Sequence, residues 1–161
     1  MKTFGYSVLI FCFVFSCKDG VETLTETQSS SVQDSVRQMM ETTARDVSKE
    51  GPIAWLDHFE NSKDFYMASG GILVFPNNDS ATNFVKNVVV KMMPKVELHW
   101  NNIRITPINT KYADIAANFH EEVTDSAGNR KPMDGFFTGM AQKADKGWQF
   151  LNAHWSFINS K

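Results

Sequence analysis

The amino-acid sequence predicts an α+β domain in which helices cover one face of a curved, antiparallel sheet. Up to Pro94, apolar residues recur at the three-to-four spacing of one-sided helices, interrupted by one small hairpin. After Pro94 the pattern changes to alternation by two and holds through four long stretches. The links between those stretches are short and rich in turn-forming residues, which favours antiparallel neighbours. One domain of ordinary size accounts for the folded part, and no internal repeat is present.

The first residues read as a targeting segment. Met1-Lys2-Thr3 supplies a positive charge, Phe4 to Phe15 a short apolar run, and Ser16 a small residue just before Cys17. The run is well short of the ~18–20 residues that cross a bilayer, and Lys18-Asp19-Gly20 ends it. The segment resembles a bacterial lipoprotein signal, in which the cysteine is lipidated and becomes the mature N-terminus. That resemblance implies removal of residues 1–16, a lipidated Cys17 with a polar tether over 17–30, and a folded domain over 31–161. It places the protein in the bacterial cell envelope, periplasmic or on the outer-membrane surface, touching the membrane through the lipid alone. Cys12 would leave with the signal, so the folded part is expected to have no thiol nucleophile, thiolate metal site or disulfide.

From Lys18 to about Ser30 the chain is too polar to fold. Ser30 and Gln33 have capping-box spacing, and Val32, Val36, Met39, Met40, Thr43 and Val47 then form one helical face. Gly51-Pro52 ends that helix and starts a second, which offers Ile53, Leu56 and Phe59. Phe65 to Ala68 and Ile72 to Phe75, separated by Ser69-Gly70-Gly71, read as a hairpin. Asp79 or Ser80 can cap a third helix with the stripe Ala81, Phe84, Val85, Val88, Val89 and Met92, stopped by Pro94. The four strands follow at about Lys95 to Thr106, Tyr112 to Thr124, Met133 to Lys143 and Trp148 to Ile158.

Composition narrows the function. A formal net charge of −2 offers no basic surface for nucleic acid. With 13 Phe, 4 Trp and 8 Met, the core or a cavity must be built from large, adaptable side chains. The four histidines are scattered, no HExxH pattern occurs, and Glu97-Leu98-His99 is a lone pair on a strand, so no metal site is expected. Neither a Gly-x-Ser-x-Gly elbow nor a phosphate-cradling glycine loop appears, and no cofactor is expected.

The run Gly147-Trp148-Gln149-Phe150-Leu151-Asn152-Ala153-His154-Trp155-Ser156 resembles the ending of SnoaL-like domains of the nuclear transport factor 2-like superfamily. Phe65 to Gly71 and Phe136-Phe137-Thr138-Gly139-Met140 match as well. The resemblance covers roughly residues 31 to 158. It implies a cone-shaped, strongly bent antiparallel sheet wrapped around three N-terminal helices, a cystatin-like roll with a pocket at its wide end. It also implies a second subunit on the sheet in many relatives, hence a homodimer. Such a shell serves isomerases, cyclases, dehydratases and non-catalytic binding modules alike. Many relatives carry an arginine where this chain has Phe136, so an anion held there by a charge pair is disfavoured. No motif places a catalytic pair; Asp57, Asp114 and Tyr66 are candidates by type only.

The histidines sit on two alternating faces. Asp114, Ala116, Asn118, His120 and Glu122 share one, and Trp148, Phe150, Asn152, His154 and Ser156 share another. If both look into the cone, Asn118, His120, Asn152, His154 and Ser156 form a polar patch in an aromatic cavity. Otherwise His154 bonds within the sheet and His120 faces solvent with Glu122. Trp55, Phe59, Tyr66, Met67, Trp100 and Phe136 either line that cavity or belong to the core. Leu151, Ala153, Trp155 and Phe157 would then lie outside as an apolar dimer face. The doublet Glu121-Glu122 reads as a solvated strand end. Two function classes stay open. The preferred one is a tethered, non-catalytic domain whose pocket binds a small hydrophobic or neutral ligand, or a partner protein. The other is a cofactor-independent isomerase, cyclase or dehydratase using His154 or an aspartate.

Overall fold

A computed structural model describes residues 23–158. The signal segment, Cys17 and the tether up to residue 22 lie outside the described residues. Helix α1 spans Glu26–Glu50, and every residue of the expected apolar face is buried: Val32, Val36, Met39, Met40, Thr43 and Val47. It starts earlier than Ser30. Thr25 Oγ1 accepts from the Gln28 amide at 3.2 Å while Gln28 Oε1 accepts from the Thr25 amide at 2.9 Å, so the capping box forms one turn upstream. Part of the expected tether is therefore helix. Gly51 closes α1 with φ 79°, and a Cβ there would lie 2.7 Å from the Pro94 carbonyl oxygen. A 3₁₀ turn Pro52–Ala54 leads into the short α2, Trp55–His58.

Strands β1, Tyr66–Ser69, and β2, Ile72–Phe75, form the hairpin around Gly70 and Gly71, both at positive φ as a tight primed turn requires. Helix α3, Asn78–Phe84, is capped by Asn77, whose Oδ1 accepts from the Ser80 amide at 2.9 Å. It continues through a π-helical turn, Val85–Val89, into α4, Val90–Met92. The meander is β3, Lys95–Pro107; β4, Tyr112–Thr124; β5, Arg130–Ala144; and β6, Gly147–Phe157. Its links are held by side chains. Asn109 Oδ1 accepts from the Lys111 and Tyr112 amides, and Asp125 Oδ1 from those of Ala127 and Asn129, all within 2.9 Å.

The six strands form one curved sheet in the order β2-β1-β6-β5-β4-β3. All neighbours are antiparallel except β1 and β6, which run parallel with Tyr66 opposite Asn152 and Ser69 opposite Trp155. The sheet is therefore mixed rather than purely antiparallel, because the hairpin docks on the last strand instead of the next one. Helix α1 lies across the inner face. Trp100 Nε1 donates to the Met40 carbonyl at 3.0 Å, and the Leu98 amide donates to Ser48 Oγ at 2.9 Å. Gln33 reaches the Ile105 carbonyl at 3.3 Å.

Two irregularities decide which residues face inward. A bulge in β3 between Asn101 and Arg104 carries Asn102 at φ 51°. A second sets Ala141 opposite Phe150 but Met140 opposite Asn152, so Leu151 is an extra residue in β6. Asn152 Oδ1 accepts from the Met140 amide at 3.0 Å there, giving that donor a partner. Beyond the bulge the alternation changes phase. Phe150, Ala153 and Trp155 face the core, at 0 %, 2 % and 6 % exposure, whereas Asn152, His154 and Ser156 face out.

Candidate functional site: an apolar cavity holding one carboxylate

A cavity of about 280 Å³ opens between the hairpin, the helices and the sheet. The hairpin contributes Met67, Ser69, Val74 and Phe75. Trp55, Phe59, Phe84, Val85, Val89 and Met93 form the helical wall; Val96, Glu121, Val123, Met133, Trp155 and Phe157 come from the sheet. The π-helical turn supplies both Val85 and Val89. A π turn carries one residue more than an α turn, and such turns concentrate at functional sites. Here it presents a β-branched wall to the cavity. The start of α3 is fixed by Asn78, which donates to the Glu60 carbonyl at 2.9 Å.

Glu121 is the one ionisable side chain on that lining. On β4 it stands opposite Leu98 and Met133, between Phe119 and Val123 on the same face. It is 7 % exposed and accepts no hydrogen bond from any described residue. Burial pushes its pKa up to about 7, and the neighbouring His120 opposes this only in part. The carboxyl therefore exchanges its proton near neutrality. It can donate a hydrogen bond as the acid or balance a positive charge as the anion. Further polar groups of the lining are the Ser69 hydroxyl and the indole N–H groups of Trp55 and Trp155.

Of the residues singled out from sequence, Trp55, Phe59 and Met67 line this cavity. Trp100 packs edge-on against Trp55 at 6.5 Å and belongs to the surrounding core. Tyr66 is 46 % exposed and away from it. Asn118, His120, Phe136, Asn152, His154 and Ser156 lie on the opposite, outer face of the sheet, so the expected inward patch does not form. On that outer face Asn118 pairs with Phe136 and Phe136 with Ser156. His120 Nδ1 is 2.8 Å from Asp134 Oδ1, rather than paired with Glu122. Asn118 Oδ1 accepts from Asn102 at 3.2 Å. The supposed outer row is likewise inverted. Ala153 and Trp155 are core, and Trp155 packs on Phe119 at 4.6 Å and on Phe137 at 5.1 Å. Glu121, read as solvated, is the residue the sequence reasoning missed. Its signal was present: it alone interrupts the apolar row Ala113, Ile115, Ala117, Phe119, Val123.

Elsewhere, His58 is buried with Nε2 3.2 Å from Asp46 Oδ2, and burial lowers its pKa despite that carboxylate. The pair ties α2 to α1. Among the described residues no three His, Cys, Asp or Glu side chains are grouped to hold a metal ion, and no helix is long and apolar enough to cross a membrane.

No family profile and no curated protein sequence matches this chain. Solved structures do. A nuclear transport factor 2-like superfamily protein from Salmonella enterica serovar Typhimurium superposes with a TM-score of 0.69 at 15 % identity, over 82 % of this chain and 94 % of that one. The hexachlorocyclohexane dehydrochlorinase LinA type 2 gives 0.67 at 12 % identity, over 84 % and 90 %. A cystatin-like protein of Nostoc punctiforme gives 0.59 at 12 % identity, over 80 % and 92 %. At these identities the likeness extends to the fold, and it agrees with helices laid into a curved six-stranded sheet. The chain has the nuclear transport factor 2-like, cystatin-like α+β fold.

Proposed function

We propose that this protein is a ligand-binding domain of the bacterial cell envelope, tethered through Cys17, whose cavity takes one small, predominantly apolar molecule and rejects anions. The observation that carries the reading is Glu121, a buried carboxyl without a hydrogen-bond partner among the described residues, in an otherwise aromatic and aliphatic cavity. A cavity of about 280 Å³ suits a small molecule, and its lining has the usual balance of apolar walls and few polar groups. An anion would meet a carboxylate there and no lining cation, so its desolvation would go uncompensated.

A second reading, a cofactor-independent proton-transfer enzyme, is favoured by one observation: a carboxyl near pH 7 is in the range of a general base. Structural neighbours of this fold include an enzyme, the dehydrochlorinase LinA. Against it, proton abstraction also needs a group to receive the charge that develops, and beyond the Ser69 hydroxyl and the indole N–H groups of Trp55 and Trp155 the described lining offers no polar side chain. Binding is therefore the better-supported activity. A homodimer remains part of the proposal, to be tested by sedimentation of the purified chain.

Both the tether and the cavity are accessible to one set of preparations from a bacterial host. Cys17→Ser should move the protein from the membrane to the soluble fraction. Native mass spectrometry of that soluble protein should show a retained small molecule, lost when Val89→Trp fills the cavity. A membrane-bound Cys17→Ser variant removes the tether; an unchanged ligand load in Val89→Trp removes the cavity as the site.

A further inference from the structure

We propose that the ligand's polar end is a protonated amine, held by the Glu121 carboxylate inside the aromatic cavity. This rests on the cavity being a binding site, and it replaces the neutral ligand expected from sequence with an apolar cation.

The argument starts from what surrounds the carboxyl. From β3 it faces Leu98 and Val96, from β5 Met133, and the helical wall adds Val85, Val89 and Met93. None of these can donate a hydrogen bond or carry a charge. His120 precedes it in the chain but points to the outer face, where Asp134 engages it. Lys131, opposite Val123 and thus on the same side of the sheet, is exposed and makes no ion pair with Glu121. A carboxyl buried in this way is costly unless something arrives to pair with it. The cavity itself selects what arrives. An ammonium group brings both donors and the missing charge, and its apolar body covers the methionine and valine surface. Trp55, Trp155, Phe59 and Phe157 on the same lining add the attraction of aromatic rings for a cation in a poorly hydrated space. A neutral alcohol or ketone supplies one hydrogen bond and leaves the ionised form unmatched, while a carboxylate is repelled.

The same geometry sets the pH dependence. An ammonium ligand pairs with the ionised carboxyl, so its affinity is full above the carboxyl's pKa of about 7 and falls as pH drops below it, with one proton released per ligand bound. An uncharged acceptor would show the reverse trend, because it needs the protonated acid as donor.

Isothermal calorimetry of the purified full chain with phenylpropylamine, phenylpropanol and phenylpropanoate decides the matter. At pH 8 the amine should bind at least ~10-fold more tightly than the alcohol, with no detectable binding of the carboxylate. That preference should shrink about tenfold per unit of pH well below the carboxyl's pKa, and proton release should appear as a dependence on buffer ionisation enthalpy. Glu121→Gln should abolish the preference, amine and alcohol then binding alike; Glu121→Asp, which keeps the charge, should retain it and covers the case in which the glutamine variant does not fold. Equal binding of amine and alcohol by the wild type, or an amine preference that persists in Glu121→Gln, overturns the amine and leaves the cavity standing. Failure of all three probes at millimolar concentration overturns the cavity itself as a binding site, and the amine with it.

Discussion

Glu121 costs the folded protein stability, and the sign of that cost is measurable. Its pKa rises from 4.5 to about 7 on folding, so the native state holds this proton more tightly than the unfolded chain does. The contribution is fully present below about pH 4.5, is lost as pH rises toward 7, and stays lost above it. At pH 8 the loss is on the order of 3 kcal/mol, from a shift of roughly two and a half units. Glu121→Gln keeps the shape without the charge. Urea unfolding should find the variant more stable than wild type by a few kcal/mol at pH 8, the gap closing near pH 4. A gap that does not change with pH would mean the carboxyl is solvated. A residue that lowers stability in the resting protein is the kind retained for what it binds. Sequence showed the acid but not its environment, because a Glu-Glu doublet at the end of a strand is ambiguous until the apolar row it interrupts is assigned to the core.

The bulge at Leu151 is what made β6 misleading. Trp148, Phe150, Asn152, His154 and Ser156 alternate without a break in the sequence, yet one extra residue sends the first part inward and the last three outward. Nothing in the one-dimensional pattern marks it; the bulge exists only in register against β5. By contrast, the apolar face of α1 and the ends of β3, β4 and β6 were legible to within a residue or so, since helix and strand periods are local properties. The start of α1 was not, because two capping boxes compete five residues apart and the upstream one forms. Gly139, near the bulge, shows how closely β5 and β6 approach. A Cβ there would lie 2.5 Å from the Asn152 carbonyl oxygen and 2.9 Å from the Phe137 ring. Gly139→Ala should therefore cost about 1–3 kcal/mol in denaturant unfolding. An unchanged midpoint would show that the strands can spread there without penalty.

At the scale of the molecule, one aromatic cluster joins helices to sheet. Trp155 packs on Phe119, Phe137, Trp55 and Trp100, with ring centroids 4.6, 5.1, 5.3 and 5.6 Å away. Trp155 was expected on a dimer face; a charge placed there would instead enter the core. On the outer face of the sheet Phe136 is 44 % exposed. The class of fold was readable because its element order is distinctive, whereas the cavity was not, since it is made where the hairpin, several helical segments and four strands distant in sequence meet.

The parallel contact between β1 and β6 has a further consequence, in the order in which the chain can fold. Tyr66 must find Asn152, and Ser69 must find Trp155, so the pairing that closes the sheet is among the most non-local in the chain. Such contacts raise contact order and slow folding, because the intervening loop entropy is lost before the contact repays it. Until β6 has been made, the hairpin lacks the strand it pairs with and Trp55 lacks its contact with Trp155. A chain ending before Gly147 should therefore give no cooperative thermal transition, and a truncated protein that still melts sharply would show that β1 to β5 form a self-sufficient unit.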